Sequence, residues 1–73
     1  MDEKLVIIGQ RIFKAFEAHT DYEQKQTKLA IEADIDPHTL RRVFRGEQNI
    51  TLKVLINLCE ALNITLEDLF KDL

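Results

Sequence analysis

The stretch ADIDPHTLRRVFRG, residues 33–46, decides the reading of this chain. Asp36 can cap a helix with its carboxylate, and Pro37 fits the first helical position, where its missing N–H costs nothing. Gly46 can take the left-handed conformation that ends a helix. At roughly 100° per residue, with Leu40 at zero, Val43 and Phe44 fall within about 60° of it, whereas His38, Arg41, Arg42 and Arg45 span roughly 100° to 200°. The helix is apolar behind and cationic in front. A solvated surface would explain charge of either sign. It would not explain arginines gathered on one face just past a capped turn. Arginine carries a planar fork of donors that can grip guanine O6 and N7, or a phosphate, at two points; lysine supplies charge without the fork. A second helix entering the DNA major groove after a helix and a tight turn is the helix-turn-helix arrangement.

The flanking sequence predicts more helices. Leu5, Ile8, Ile12, Ala15 and Phe16 recur at helical spacing, giving a helix from about Lys4 to His19. Asp21, with Gln24 three places on, resembles a capping box. It would open a second helix running to about Ala33, with Leu29, Ala30 and Ala33 inward. The third helix runs from Pro37 to Phe44 or Arg45, and EQNI is a loop. Thr51 caps a fourth helix, Leu52 to Leu62, with Leu55, Leu58, Cys59 and Leu62 on one stripe. Asn63 can end it in the left-handed conformation. Thr65 and Asp68 cap a fifth helix, LEDLFKDL. Five short helices with short connections predict a compact all-α bundle.

The chain has 73 residues and a formal net charge of -3, enough for one small domain, with the helix-turn-helix over about 22–45. The charge is uneven. Residues 24–53 carry six cations (Lys25, Lys28, Arg41, Arg42, Arg45, Lys53) against four anions (Glu32, Asp34, Asp36, Glu47), while both flanks are net acidic. Local charge sets the local field, so the acidic total does not exclude an anionic partner.

The segments GQRIFKAF, KLAIEADIDPHTLRRVFRG and NITLKVLINLCEALNITLEDLF resemble, in order and spacing, the Cro/C1-type (XRE-like) helix-turn-helix domain of phage repressors and bacterial regulators. The resemblance covers Ile8 to Phe70. It implies a lambda-repressor-like fold and double-stranded DNA as partner. By position it implies that Pro37, His38, Arg41 and Arg42 face bases. It implies that Gln26, Lys28, Thr39, Arg45, Gln48 and Asn49 touch phosphates or flanking positions. The chain departs from the family pattern in five places, one of them Pro37, which cannot hydrogen-bond a base and could only touch a thymine methyl. Asp34 stands where a glycine is usual in the turn, and Asp36 brings negative charge toward phosphates. Lys25 replaces a Thr or Ser cap, which suggests a cap moved back to Asp21. Three extra residues separate the first two helices.

His38 has two readings, a base or phosphate contact and an exposed helix-start residue. His19 is expected in the last turn of the first helix, where it favours the dipole. Phe13, Phe16, Phe44 and Phe70 read as core, Cys59 as a small buried side chain, and Tyr22 as a staple for the inter-helix junction. No enzyme is indicated: serine is absent, the one cysteine has no His partner nearby in sequence, and there is no glycine-rich phosphate loop. No metal or other cofactor is expected, because one cysteine and two histidines cannot assemble the usual ligand spacings. The run LVII is too short for a membrane span, and a single cysteine fits a reducing, cytoplasmic setting. The expected function is a sequence-specific DNA-binding transcriptional regulator, docking residues 37–44 in the major groove. A homodimer on a two-fold symmetric site would double its contacts, through a C-terminal interface sought among Leu66, Leu69, Phe70 and Leu73. The alternative is a protein-interaction module of the same fold, antitoxin-like or an adaptor, without DNA binding.

Overall fold

A computed structural model describes residues 2–19 and 25–73. Among these, the helices are α1 (Glu3–Ala18), α2 (Gln26–Ala33), α3 (Pro37–Arg45), α4 (Leu52–Leu62) and α5 (Leu66–Phe70). There is no strand among the described residues. The all-α architecture follows from the helical periodicity of every apolar stripe.

The stripes converge on one core. Ile8, Ile12 and Phe16 of α1 meet Leu29, Ala30 and Ala33 of α2, Leu40 and Val43 of α3, Leu55, Leu58, Cys59 and Leu62 of α4, and Leu69 of α5. Helix α1 lies along α3 and reaches α5, while α2 packs on both α3 and α4. Burying large apolar side chains at roughly 1.5–3 kcal/mol each is the main force holding α3 in place.

The approach of α1 to α3 depends on glycine. A Cβ at Gly9 would collide with the carbonyl oxygens of Val43 and Phe44, in the last turn of α3. At Gly46, φ is +74°, and a Cβ there would lie 2.6 Å from the Cα of Val6. Phe13 completes this contact, its ring edge-on to Phe44 with centroids 5.0 Å apart. The periodicity marks Gly9 as neither apolar nor polar; only the neighbouring helix shows why nothing larger fits.

Helix ends largely follow local chemistry. Asp36 accepts from the Thr39 N–H, Thr51 from the Val54 N–H, and Thr65 with Asp68 forms a reciprocal capping box. Asp34 and Asn63 take left-handed backbone, with φ of 62° and 55°. Three expectations need correction. Helix α2 begins at Gln26 after an extended Lys25 that makes no side-chain cap, so it does not run back toward residue 21. Extended backbone at Lys25 breaks the helical hydrogen-bond ladder there. The capping box assigned to Asp21 and Gln24, and the staple assigned to Tyr22, lie outside the described residues. His19 is the C-cap of α1 rather than a last-turn residue, with extended backbone and its N–H on Phe16 O. Finally, α5 stops at Phe70, and Phe70 itself is 42% exposed, not core. In so short a helix Leu69 takes the inward direction, and the next residue points about 100° away from it.

Candidate nucleic-acid interface

The turn between α2 and α3 fixes the direction of α3. The Asp34 N–H donates to Ala30 O and Ile31 O, and the Ile35 N–H also reaches Ala30 O, at 3.0 Å. From α4, the Asn57 side-chain amide donates to Ala33 O at 3.2 Å, tying the last carbonyls of α2 to the core. Asp36 then starts α3 with a two-pronged cap. One carboxylate oxygen accepts the Thr39 N–H at 2.7 Å and the other accepts the Thr39 hydroxyl at 2.9 Å. These bonds, the backbone one foremost, hold the Asp36 carboxyl below the usual aspartate range, with the hydroxyl bond next and the charge of His38 as a smaller contribution. The left-handed Gly46 closes the other end, and its N–H and that of Glu47 satisfy the carbonyls of Val43 and Arg42 at 3.0 and 2.9 Å.

Between these ends, Leu40 and Val43 are buried, and Phe44 is half-buried against Phe13 and Phe16. His38, Arg41, Arg42 and Arg45 are exposed on the opposite face. Among the described residues, the side chains of Arg41 and Arg42 make no ion pair and no hydrogen bond. Both side chains are open to solvent. Arg45 differs: its guanidinium lies 3.2 Å from the Glu47 carboxylate.

The structure thus brings His38, Arg41, Arg42 and Arg45 together on one rigid helix. Pro37 is half-buried at the helix start. Thr39 is half-buried, and its hydroxyl proton already goes to Asp36. In the loop after α3, Asn49 is exposed and its carbonyl accepts a long contact, 3.5 Å, from the Gln48 amide. Gln26 is half-buried in the first turn of α2, and Lys28 is exposed one residue short of the core position Leu29. Sequence reasoning missed Glu47 as a partner of Arg45, although the two stand two places apart. It also missed Asn57, whose carbonyl partner is 24 residues away and leaves no sequence signal.

Other chemistries find little here. No group of three or more His, Cys, Asp or Glu side chains that could hold a metal occurs among the described residues. Cys59 is buried, and that burial, with the nearby charge of Asp68, pushes its thiol pKa up, away from the reactive thiolate. No described helix is long and apolar enough to cross a membrane.

Comparison with known proteins points the same way as the geometry. The family model of the Cro/C1-type HTH DNA-binding domain matches residues 19–72. Among solved structures, the restriction-modification controller protein C.AhdI from Aeromonas hydrophila is similar, with a TM-score of 0.79 and 30% sequence identity over 94% of this chain and 100% of C.AhdI. No curated protein sequence matches this chain.

Proposed function

Because the chain belongs to the Cro/C1-type helix-turn-helix DNA-binding family, we propose that it is a sequence-specific transcriptional regulator that docks α3, residues 37–44, in the major groove. The observation that carries this reading is the outward pair Arg41 and Arg42, without a side-chain partner among the described residues, on a helix whose reverse face is locked in the core. Pro37 and His38 lead the helix toward base edges, and the two arginines offer forked donors to guanine or phosphate. Gln26, Lys28, Arg45, Gln48 and Asn49 serve the backbone and flanking positions, and cationic contacts supply much of the affinity. Thr39 contributes indirectly, because its hydroxyl holds Asp36 in the cap. C.AhdI is a controller protein and aligns over its whole length, which supports a regulatory rather than a catalytic role, exercised in the cytoplasm.

A homodimer suits this reading. Leu52 and Ile56, one turn apart on α4, are 63% and 40% exposed, and Phe70 and Leu73 are also open. Leu69 is core and Leu66 half-buried, so a second copy would cover Phe70 and Leu73 rather than all four C-terminal residues. Two copies on a two-fold axis would present two α3 helices to adjacent turns of the groove.

The test is binding to genomic DNA fragments at two salt concentrations, for the wild type and for Arg41→Ala and Arg42→Ala. The expected result is binding that weakens as salt rises, with each substitution costing about 1–3 kcal/mol where the arginine grips a base. Binding that is absent, or indifferent to salt and to both substitutions, would transfer the protein to the interaction-module reading.

A further inference from the structure

Resting on the DNA-binding reading, we propose that Glu47 limits DNA affinity by occupying Arg45, so that a phosphate must displace the carboxylate before Arg45 can engage. Of the arginines on the outer face of α3, Arg45 alone has such a partner among the described residues, at 3.2 Å. The chain geometry favours the pairing. Gly46, with φ of +74°, turns the backbone back on itself, and the Glu47 N–H donates to Arg42 O at 2.9 Å. The Glu47 carboxylate is therefore kept beside the final turn of α3.

Nothing about helix stability asks for an anion there. The C-terminal end of a helix carries partial negative charge and disfavours a carboxylate. A carboxylate close to a phosphate-binding surface also repels the ligand. Glu47 is thus unfavourable on both counts, and its cationic neighbour is what offsets them. The pair is open to solvent, with side chains 54% and 38% exposed. Exposed pairs of this kind are weak enough to exchange. DNA phosphate, with its higher local charge density, can take the guanidinium, but the displaced carboxylate then stands near the backbone. Both the exchange and that repulsion reduce affinity without reading any base, so Glu47 acts on every DNA sequence alike.

This independence from sequence makes the inference testable on a random-sequence duplex. Binding would be measured as a function of salt for the wild type, Glu47→Gln, Arg45→Ala and the double variant, with thermal unfolding as a check that each is folded. The expected result is about two- to fivefold tighter binding for Glu47→Gln, on the scale of an exposed ion pair. The salt dependence should steepen by up to about 0.9 in logarithmic slope, one additional phosphate contact. In the Arg45→Ala background the same change should tighten binding clearly less, since only the repulsion is left to relieve once the partner is gone. Wild type that binds while Glu47→Gln binds no better would overturn the inference and leave the DNA-binding reading intact. Equal tightening with and without Arg45 would overturn it too, reducing Glu47 to a simple repelling charge. Failure of both the wild type and Glu47→Gln to bind any duplex would bring down the DNA-binding reading itself.

Discussion

The C-terminal ends of α3 and α5 solve the same problem in different ways. Each helix leaves its last carbonyls without helical partners. At α3 the backbone supplies the donors, because Gly46 goes left-handed and its N–H and that of Glu47 turn back onto Val43 and Arg42. At α5 no glycine follows. A side chain from α1 takes one helix carbonyl and one just beyond it: the Arg11 guanidinium donates to Leu69 O at 2.9 Å and to Lys71 O at 2.7 Å, while the Leu73 N–H donates to Phe70 O at 3.2 Å. One arginine is thereby turned inward as a tie between α1 and the C-terminus. The arginines of α3 have no such duty, since the glycine turn has already satisfied their helix. A self-capping helix asks no capping duty of Arg41 and Arg42, and that is the physical link from Gly46 to the proposed groove-reading face.

The largest effect should come from removing the self-cap. Gly46→Ala places a Cβ on a residue with positive φ and pushes it against the Val6 backbone. Left-handed strain of roughly 1–2 kcal/mol adds to about 1–3 kcal/mol of overpacking, so a loss of about 2–5 kcal/mol in urea unfolding is expected. A loss below half a kcal/mol would show that the turn is not what holds the end of α3 against α1.

The next contrast separates the two uses of arginine. Arg42→Met should weaken DNA binding by about 1–3 kcal/mol, and should leave unfolding within about 0.5 kcal/mol of wild type. Arg11→Met should do the reverse. It removes two charge-assisted hydrogen bonds, part-buried and exposed, and should cost about 1–2 kcal/mol of stability with DNA affinity unchanged in the folded protein. If both variants lost affinity to the same degree, the division between a structural arginine and ligand-facing arginines would be wrong.

How legible these roles were in the sequence depends on their range. The α3 cap at Asp36, the turn at Gly46, and the opposed faces carrying Leu40 and Arg41 are set by residues within four places of one another, and the structure has them as the pattern predicts. The inward stripes of α1, α2 and α4 were equally plain, because helical periodicity registers burial directly. Arg11 was not legible: its partners lie 58 and 60 residues away, and its own helix gives no sign of them. Asn57 and Gly9 escaped for the same reason, since each is defined by a backbone belonging to another helix. The start of α2 lies later than the pattern predicts, because the extended backbone of Lys25 lets the ladder begin only at Gln26. For the candidate site, exposure of the arginines follows from the pattern, but the engagement of Arg45 by Glu47 needed the turn geometry of Gly46.

The start of α3 extends the contrast from helix ends to helix starts, and predicts the smallest effect. At α2, Lys25 provides no side-chain cap, whereas at α3 the Asp36 carboxylate accepts both the Thr39 N–H and its hydroxyl. Those bonds favour the ionised carboxylate, so the folded-state pKa lies below that of the unfolded chain. For a depressed pKa, the stabilisation is fully present above the unfolded value, about 3.9, and is lost as pH falls through the folded one. The cap should therefore be indifferent to pH near neutrality and should fade below about pH 4. Asp36→Asn keeps an oxygen acceptor for the Thr39 N–H but cannot titrate. Its thermal midpoint should sit slightly below wild type at pH 7, and the gap should narrow as pH falls through and below the aspartate range. Asp68, similarly lowered by its bonds with Thr65 in the α5 capping box, titrates in both proteins and cancels in the comparison. A gap that stays constant from pH 7 down to about pH 3 would mean that the charge on Asp36 adds nothing to the cap. In that case the cap would hold the start of α3 through the geometry of its hydrogen bonds and not through its charge.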